Sequence, residues 1–208
     1  MILIGQYDSP FVRRVGIALT LYQMPFEHRP WSVFADGAKL QALNPLMRVP
    51  TLVLPDGFVI TDSHMMLDYL DSLVPEPLFP RDEPARHHAL KIAAMGTGLA
   101  EKAVSLFYEH RLHDTPSPVW IARCHSQIAA VLAALEASLI ARPHPGPYWF
   151  KDRIGHADIA VTCALRFVAD TNPALFNAVT YPTLNANAAR IEALPAFRDI
   201  AQAVVAPA

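Results

Sequence analysis

Three stretches put chemically capable residues where backbone groups would be left without partners. In YDSPF, residues 7–11, Ser9 precedes Pro10 at the junction of a strand-like run and an amphipathic helix. Serine caps helices and proline suits the first helical position, so stability alone accounts for the pair. The same placement sets a hydroxyl donor at a helix start, with the Tyr7 phenol two residues away. In TDSHMM, Ser63 is expected as the cap of a second helix. Its hydroxyl and the first free amides make an anion site strengthened by the helix macrodipole, while Asp62 supplies the opposite sign. A ligand carrying adjacent ammonium and carboxylate groups would suit both, although an ordinary helix cap explains the same two residues. In RVPTLVL, Pro50 opens a strand to which it cannot donate a ladder hydrogen bond. A trans proline beginning an edge strand is one account of it.

Other polar clusters point less clearly to chemistry. EHRLHD brings His110 and His113 near Glu109 and Asp114, but no third ligand follows at fixed spacing. Histidines at a helix end, favoured by its dipole, explain them better than a metal. His87, His88 and His144 read as surface residues. Cys124 and Cys163 fall in helical patterns without a CxxC, which predicts two buried, inert thiols.

The elements that must position these residues change character along the chain. ILIG and FEHRPW read as strands around a helix with Val12, Val15, Leu19 and Tyr22 on one face. DGAKLQAL is a short helical or irregular piece. TLVL and FVI flank PDG, a hairpin signature, and SHMMLDYLDSLV is again amphipathic. The order is β-α-β-α-β-β-α. PEPLFPRDEP, residues 75–84, holds four prolines and four charged residues and cannot continue a helix. Beyond it five alanine- and leucine-rich helical patterns follow, the last being PAFRDIAQAV. The predicted organisation is an α/β domain over 1–76, a linker over 77–84 and an all-helical domain over 85–208.

With 208 residues, 52% hydrophobic and 17% charged, and a formal net charge of -2, the chain is long enough for a real core. It is neither a disordered chain nor a nucleic-acid binder. No stretch reads as the roughly 18 apolar residues of a membrane span, and the N-terminus lacks the pattern of a secretory leader. A cytoplasmic protein with no membrane partner is expected.

The element order and four motifs together resemble the soluble glutathione transferase family. SPFVRRV is similar to its first-helix start, NPLMRVPTLVL to its segment around a cis-proline, DS to the acidic-serine pair before its third helix, and IGHADIAV to its capping motif. The resemblance covers essentially the whole chain. It implies a thioredoxin-like first domain that binds glutathione, with no metal, and an all-helical second domain. It also implies a homodimer and a detoxifying reaction on a small apolar electrophile held between the domains.

The resemblance gives each residue a role. A cis Val49-Pro50 bond would leave the Val49 N–H and C=O facing a groove, where an extended peptide pairs by strand addition. Asp62 and Ser63 would hold the glutamyl head. Arg48 would meet the glycine carboxylate, if it is more than an exposed arginine, and Phe11 would border the glutathione site. Ser9 would donate to sulfur and favour thiolate over thiol, as a donor and not as a nucleophile. Tyr7 is the competing donor. Serine in place of cysteine argues against a mixed disulfide with the protein. Phe107 and Tyr108 would wall the electrophile pocket, core packing being the default. A non-catalytic scaffold or ligand carrier, and a glutathione-dependent isomerase or dehalogenase, share these features. Gly155 stands where the family's capping motif has Ser or Thr, with Asp158 placed to reach back to the cap amide. Met47 stands where a small or basic residue is often found.

Overall fold

The computed structural model describes residues 1–143, 146–150 and 152–206 and divides into two compact units. The first unit joins Met1–Leu78 to the described residues from Pro195 onward. Its sheet has the order β2-β1-β3-β4, from β1 (Ile2–Ile4), β2 (Glu27–Arg29), β3 (Thr51–Val53) and β4 (Val59–Thr61). β1 and β2 are parallel, so the chain must cross over between them, and α1 (Pro10–Leu21) makes that crossover. The short α2 (Gly37–Gln41) follows β2. β3 and β4 form the hairpin that PDG predicts, antiparallel and in register Val53↔Val59, with Gly57 at φ +87° in the turn.

Both helices that follow the apolar spacing pack as that spacing requires. α1 buries Val12, Val15 and Leu19 completely, and α3 (Ser63–Ser72) buries Met66, Leu67 and Leu70. α1 ends in paired bonds from Met24 N–H to the Leu19 carbonyl and from Gln23 N–H to the Thr20 carbonyl, both 3.0 Å. Gln23 therefore takes the left-handed position after the helix, at φ 54°, where glycine is usual.

One expectation about organisation is corrected here, the place of the last segment. The break falls between Leu78 and Phe79, inside the expected linker, and the last segment belongs with the first unit instead of the helical one. The cause is α1. Arg13, only 3% exposed, donates from Nε to the Ile200 carbonyl at 2.8 Å and from Nη2 to the Phe197 carbonyl at 2.9 Å. Phe197 is fully buried in α8 (Pro195–Asp199), which is five residues long, half the helical pattern predicted from sequence. The backbone carbonyls that would have continued that helix are used by Arg13.

The second unit contains α4 (Ala85–Leu112), α5 (Pro118–Ile140), α6 (His156–Thr171) and α7 (Pro182–Glu192). α4 and α6 approach so closely at Gly96 that a Cβ there would lie 2.8 Å from the Val161 nitrogen. Buried carboxylates tie the helix ends. Glu136 on α5 accepts from Thr183 and Leu184 N–H, at 2.9 and 2.7 Å, and so caps α7 from another helix. Glu109 accepts from Ser117 N–H at 2.6 Å and meets His113 Nδ1 at 3.0 Å, which accounts for the EHRLHD cluster as a helix end. Asp158 accepts from Gly155 N–H at 3.0 Å, the reach-back expected from sequence, and also from Trp149 N–H at 2.8 Å. Cys124 and Cys163 are free and buried. Among the described residues no group of three His, Cys, Asp or Glu side chains could hold a metal. His144 lies outside the described residues.

The reading of the chain as free of any span-like stretch is also corrected. α5 is long and apolar enough, by length and composition, to cross a membrane. Its Ile, Val and Leu residues, with six alanines, raise the mean hydropathy, while Arg123, His125, Ser126, Gln127 and Glu136 interrupt the run, which is why no unbroken apolar block stands out in the sequence. The same helix directs Ile128, Leu132, Leu135 and Leu139 into buried positions and carries the Glu136 carboxylate that caps α7.

Candidate functional site

Helix α1 gathers the candidate residues of the first unit. Ser9 is its N-cap, and the Ser9 hydroxyl accepts from Val12 N–H at 3.4 Å. A hydroxyl that accepts one bond still has its own proton to donate, here beside the positive end of the helix. A turn delivers Ser9 to that position, closed by Ser9 N–H to the Gln6 carbonyl at 3.2 Å. Tyr7, in the same turn, stacks on His28 with ring centroids 3.8 Å apart and planes within 9°. Burial pushes its phenol up to about 12, so it stays protonated at neutral pH. Phe11 is half-buried in the first turn of α1.

The next side chain on the helix, Val12, leads to the second motif. Gly5 has φ +128°, and a Cβ there would stand 2.5 Å from Val12 Cγ2 and 2.7 Å from Val49 Cβ. Only glycine lets the start of α1 and the Val49 segment close on one another. The Val49–Pro50 peptide is cis, and the ladder of β3 begins at Thr51, so the Val49 N–H and C=O lie beyond the strand pairing. Asn44, 1% exposed, braces this segment. Its Nδ2 donates to the Arg48 carbonyl at 3.0 Å and to Thr51 Oγ1 at 3.1 Å, while its Oδ1 accepts from Leu46 N–H. Arg48 itself is exposed, and Met47 turns through φ 49°.

Two positions further along α1, Arg14 reaches the third motif. It is 1% exposed and donates from Nη1 to Ser63 Oγ at 3.2 Å. The expected cap is corrected by one residue: Asp62 caps α3, its carboxylate accepting from His64 N–H at 2.7 Å, and Ser63 is the first helical residue, 4% exposed. Aspartate can take this place because its short polar side chain tolerates the positive φ of 68° found there. A non-glycine residue held in that conformation beside a helix start is a strained arrangement of the kind that marks binding sites. The His64 imidazole is pushed down by burial and, secondarily, by the Arg14 charge.

Gly5, Asn44 and Arg14 were not singled out in the sequence. Arg14 left a signal, a charge inside the apolar run FVRRVGIAL; Gly5 and Asn44 act through partners distant in sequence or through a turn, and left little. In the second unit Phe107 packs edge-on against Phe167, centroids 5.9 Å apart, under the Arg111 guanidinium, and touches Tyr108 at 5.9 Å. Phe107 is thus engaged in the packing of α4 on α6.

Comparison with known proteins places this geometry in a family. The N-terminal domain model of glutathione S-transferases matches residues 3–78, and the C-terminal domain model matches residues 118–202. The chain belongs to the glutathione S-transferase family. It is 30% identical to the GST-like protein YibF of Escherichia coli, over 81% of this chain and 82% of that one. It is 29% identical to a probable maleylacetoacetate isomerase of Caenorhabditis elegans, over 94% of this chain and 90% of that one. Among solved structures, a glutathione S-transferase of Methylobacterium radiotolerans in complex with glutathione sulfonate superposes with a TM-score of 0.88 and 28% identity, covering 98% of this chain and 97% of the other.

Proposed function

We propose that the chain is a glutathione transferase in which the Ser9 hydroxyl holds the glutathione sulfur as thiolate. The observation that carries this is the arrangement around α1. One helix presents Ser9 at its positive end, closes on Val49 through Gly5, and supports Ser63 through Arg14. A tripeptide whose main chain pairs with Val49 and whose glutamyl head meets Asp62 and Ser63 would bring its sulfur to the start of α1. The Methylobacterium relative with bound glutathione sulfonate supports that class of ligand.

Ionisation is then the main chemical task. An ordinary thiol with a pKa of about 8.5 is a few per cent thiolate at neutral pH, and lowering it by about two units takes roughly 2.7 kcal/mol. One or two charge-assisted hydrogen bonds with the helix dipole supply that much. Attack on an electrophilic carbon forms a C–S bond and expels the leaving group with its electron pair. Attack on a peroxide forms an S–O bond and expels alkoxide. Neither requires a base on the protein once sulfur is ionised. Arg48 and Phe11 border the tripeptide in this reading, and Phe107 and Tyr108, whose rings touch on α4, would wall the electrophile pocket. A homodimer in the cytoplasm belongs to the same proposal; Phe58 and Met65, 64% and 59% exposed in the first unit, supply apolar surface for it.

A second reading, glutathione-dependent isomerisation, is favoured by the similarity to the probable maleylacetoacetate isomerase over 90% of its length. There the thiolate adds to the substrate and is later expelled, so glutathione is not consumed. Turnover of an electrophile panel and of a cis-alkenyl diketo acid, with glutathione counted, tests both. Conjugation consumes one glutathione per product and isomerisation none. Ser9→Ala is expected to lower kcat by about tenfold or more and to leave glutathione binding within about threefold, since an interaction with the ionised sulfur matters most in the reactive form. Unchanged kcat in Ser9→Ala overturns the serine assignment and moves it to Tyr7 or to backbone amides.

A further inference from the structure

The segment after α8 returns to the turn that delivers Ser9 and holds both of its central residues. Gln202 Oε1 accepts from Tyr7 N–H at 3.2 Å, and the Asp8 carboxylate accepts from Val205 N–H at 3.0 Å. Those two bonds join residues separated by 195 and 197 positions in the chain. The segment is itself anchored on α1. Arg13, one turn into the helix, binds the Phe197 and Ile200 carbonyls, and the space above Gly16 is closed by Ile200, whose Cγ2 would lie 3.0 Å from a Cβ at that glycine. Gly16 is thus the position that lets the returning chain lie close against the helix.

The turn Gln6–Ser9 is closed by Ser9 N–H to the Gln6 carbonyl, at a long 3.2 Å, and the Asp8 carboxylate lies against the Ser9 and Asp8 amides. Its two central residues are otherwise tied at Tyr7 by the stack on His28 and at the main chain and side chain by the returning segment. A hydroxyl that must point at a sulfur atom needs its backbone fixed to within a fraction of an ångström. A bond to the Tyr7 amide, two residues before Ser9, restrains the backbone that leads into α1 and limits how far Ser9 can drift.

We propose that Gln202 and the Val205 amide are positioning residues for catalysis: they fix the Tyr7–Asp8–Ser9 turn so that its donor faces the glutathione sulfur. The proposal rests on the transferase reading above, and it makes Gln202 and Val205 part of the active-site machinery of the first unit. Neither residue touches the ligand in this account. Both act through the turn.

The test is the thiolate pKa of bound glutathione, read by ultraviolet absorbance in the full-length protein, for wild type, Ser9→Ala, Gln202→Met, Val205→Pro and Val205→Ala. Gln202→Met keeps size and neutrality and removes the acceptor; Val205→Pro removes the N–H; Val205→Ala keeps it. Gln202 is half-buried and Val205 exposed, so folding is expected to survive, and each variant is compared at a temperature where circular dichroism shows it fully native. Gln202→Met is expected to raise the thiolate pKa by about one unit and to lower kcat, with KM for glutathione within about twofold. Val205→Pro should shift it in the same direction by less, and Val205→Ala not at all. A segment that merely stabilised the fold would lower the melting temperature and leave the thiolate pKa alone. If Ser9→Ala shifts the pKa and neither Gln202→Met nor Val205→Pro does, the positioning role is overturned and the serine reading stands. If Gln202→Met shifts it and Ser9→Ala does not, the segment positions a different donor of the turn and the serine reading fails. No shift in any variant overturns both.

Discussion

Substituting Gly5 by alanine tests the closure of α1 on the Val49 segment. Two costs add at this position. The first is conformational, because φ +128° lies in a region that residues with a Cβ rarely enter, at about 1–3 kcal/mol. The second is steric. The new methyl would meet Val12 Cγ2 at 2.5 Å, Val49 Cβ at 2.7 Å and Val49 Cγ1 at 3.0 Å, and overpacking of this kind costs about 1–3 kcal/mol. Val49 Cβ cannot rotate away, being fixed to the backbone next to Pro50. Gly5→Ala should therefore lose about 2–6 kcal/mol, a large part of the roughly 5–15 kcal/mol that a folded chain has in hand. Urea unfolding with an unchanged m-value reads this directly. Removing the nearer obstacle separates the two costs. Val12→Ala is destabilising alone, yet the Gly5→Ala/Val12→Ala double variant should lose less than the two singles added together, by at least about 0.5 kcal/mol. The Val49 contact and the backbone term remain, so recovery is partial. Where the double variant folds, glutathione binding should still be weaker than in Val12→Ala, because Val49 has been displaced. A loss below about 0.5 kcal/mol in Gly5→Ala, or strict additivity in the double variant, would refute the close approach.

Two further predictions concern stability. Gln23→Gly places glycine at the left-handed position that ends α1, and it should stabilise the protein by up to about 1 kcal/mol, seen as a raised urea midpoint; a fall would mean the Gln23 side chain contributes more than its backbone strain. Asp158, 1% exposed, has its carboxyl pushed up to about 6 from 3.8 by burial, against the Trp149 and Gly155 amides that favour the ionised form. Between those values the native state holds more protons than the unfolded chain. Stability should therefore fall as pH rises through about 4 to 6, by about 3 kcal/mol in total. Asp158→Asn removes this slope, so the stability difference between wild type and variant, measured by denaturation across that window, should change with pH; a flat difference contradicts the shift.

What the sequence showed depended on how local the cause was. The apolar spacing of α1, the PDG hairpin and the reach of Asp158 to its own cap are interactions over a few residues, and they appear as expected. The cap of α3 is displaced by one residue because Asp62, at φ 68°, uses a conformation that residue type alone does not announce. The roles of Gly5 and Arg14, and the return of the segment from Pro195 onward to the first unit, were not legible locally because each acts on a partner far along the chain, Val49, Ser63 and the Tyr7–Ser9 turn respectively. Arg13 shows the limit most clearly. It sits in a recognised motif, but its work is to hold the Phe197 and Ile200 carbonyls, which decides where the last helical pattern stops. Helix α5 misled in the opposite sense, since its Ile, Val and Leu residues are interrupted by Arg123, His125, Ser126, Gln127 and Glu136 and so form no unbroken apolar block.

The proposed chemistry depends on one helix start favouring an ionised sulfur. Titrating the thiol of glutathione bound to the wild-type protein measures that preference directly. An apparent pKa about two units below the value of about 8.5 for an ordinary thiol is the predicted result. A bound thiol that titrates at 8.5 or above would contradict it, however tightly the tripeptide is held.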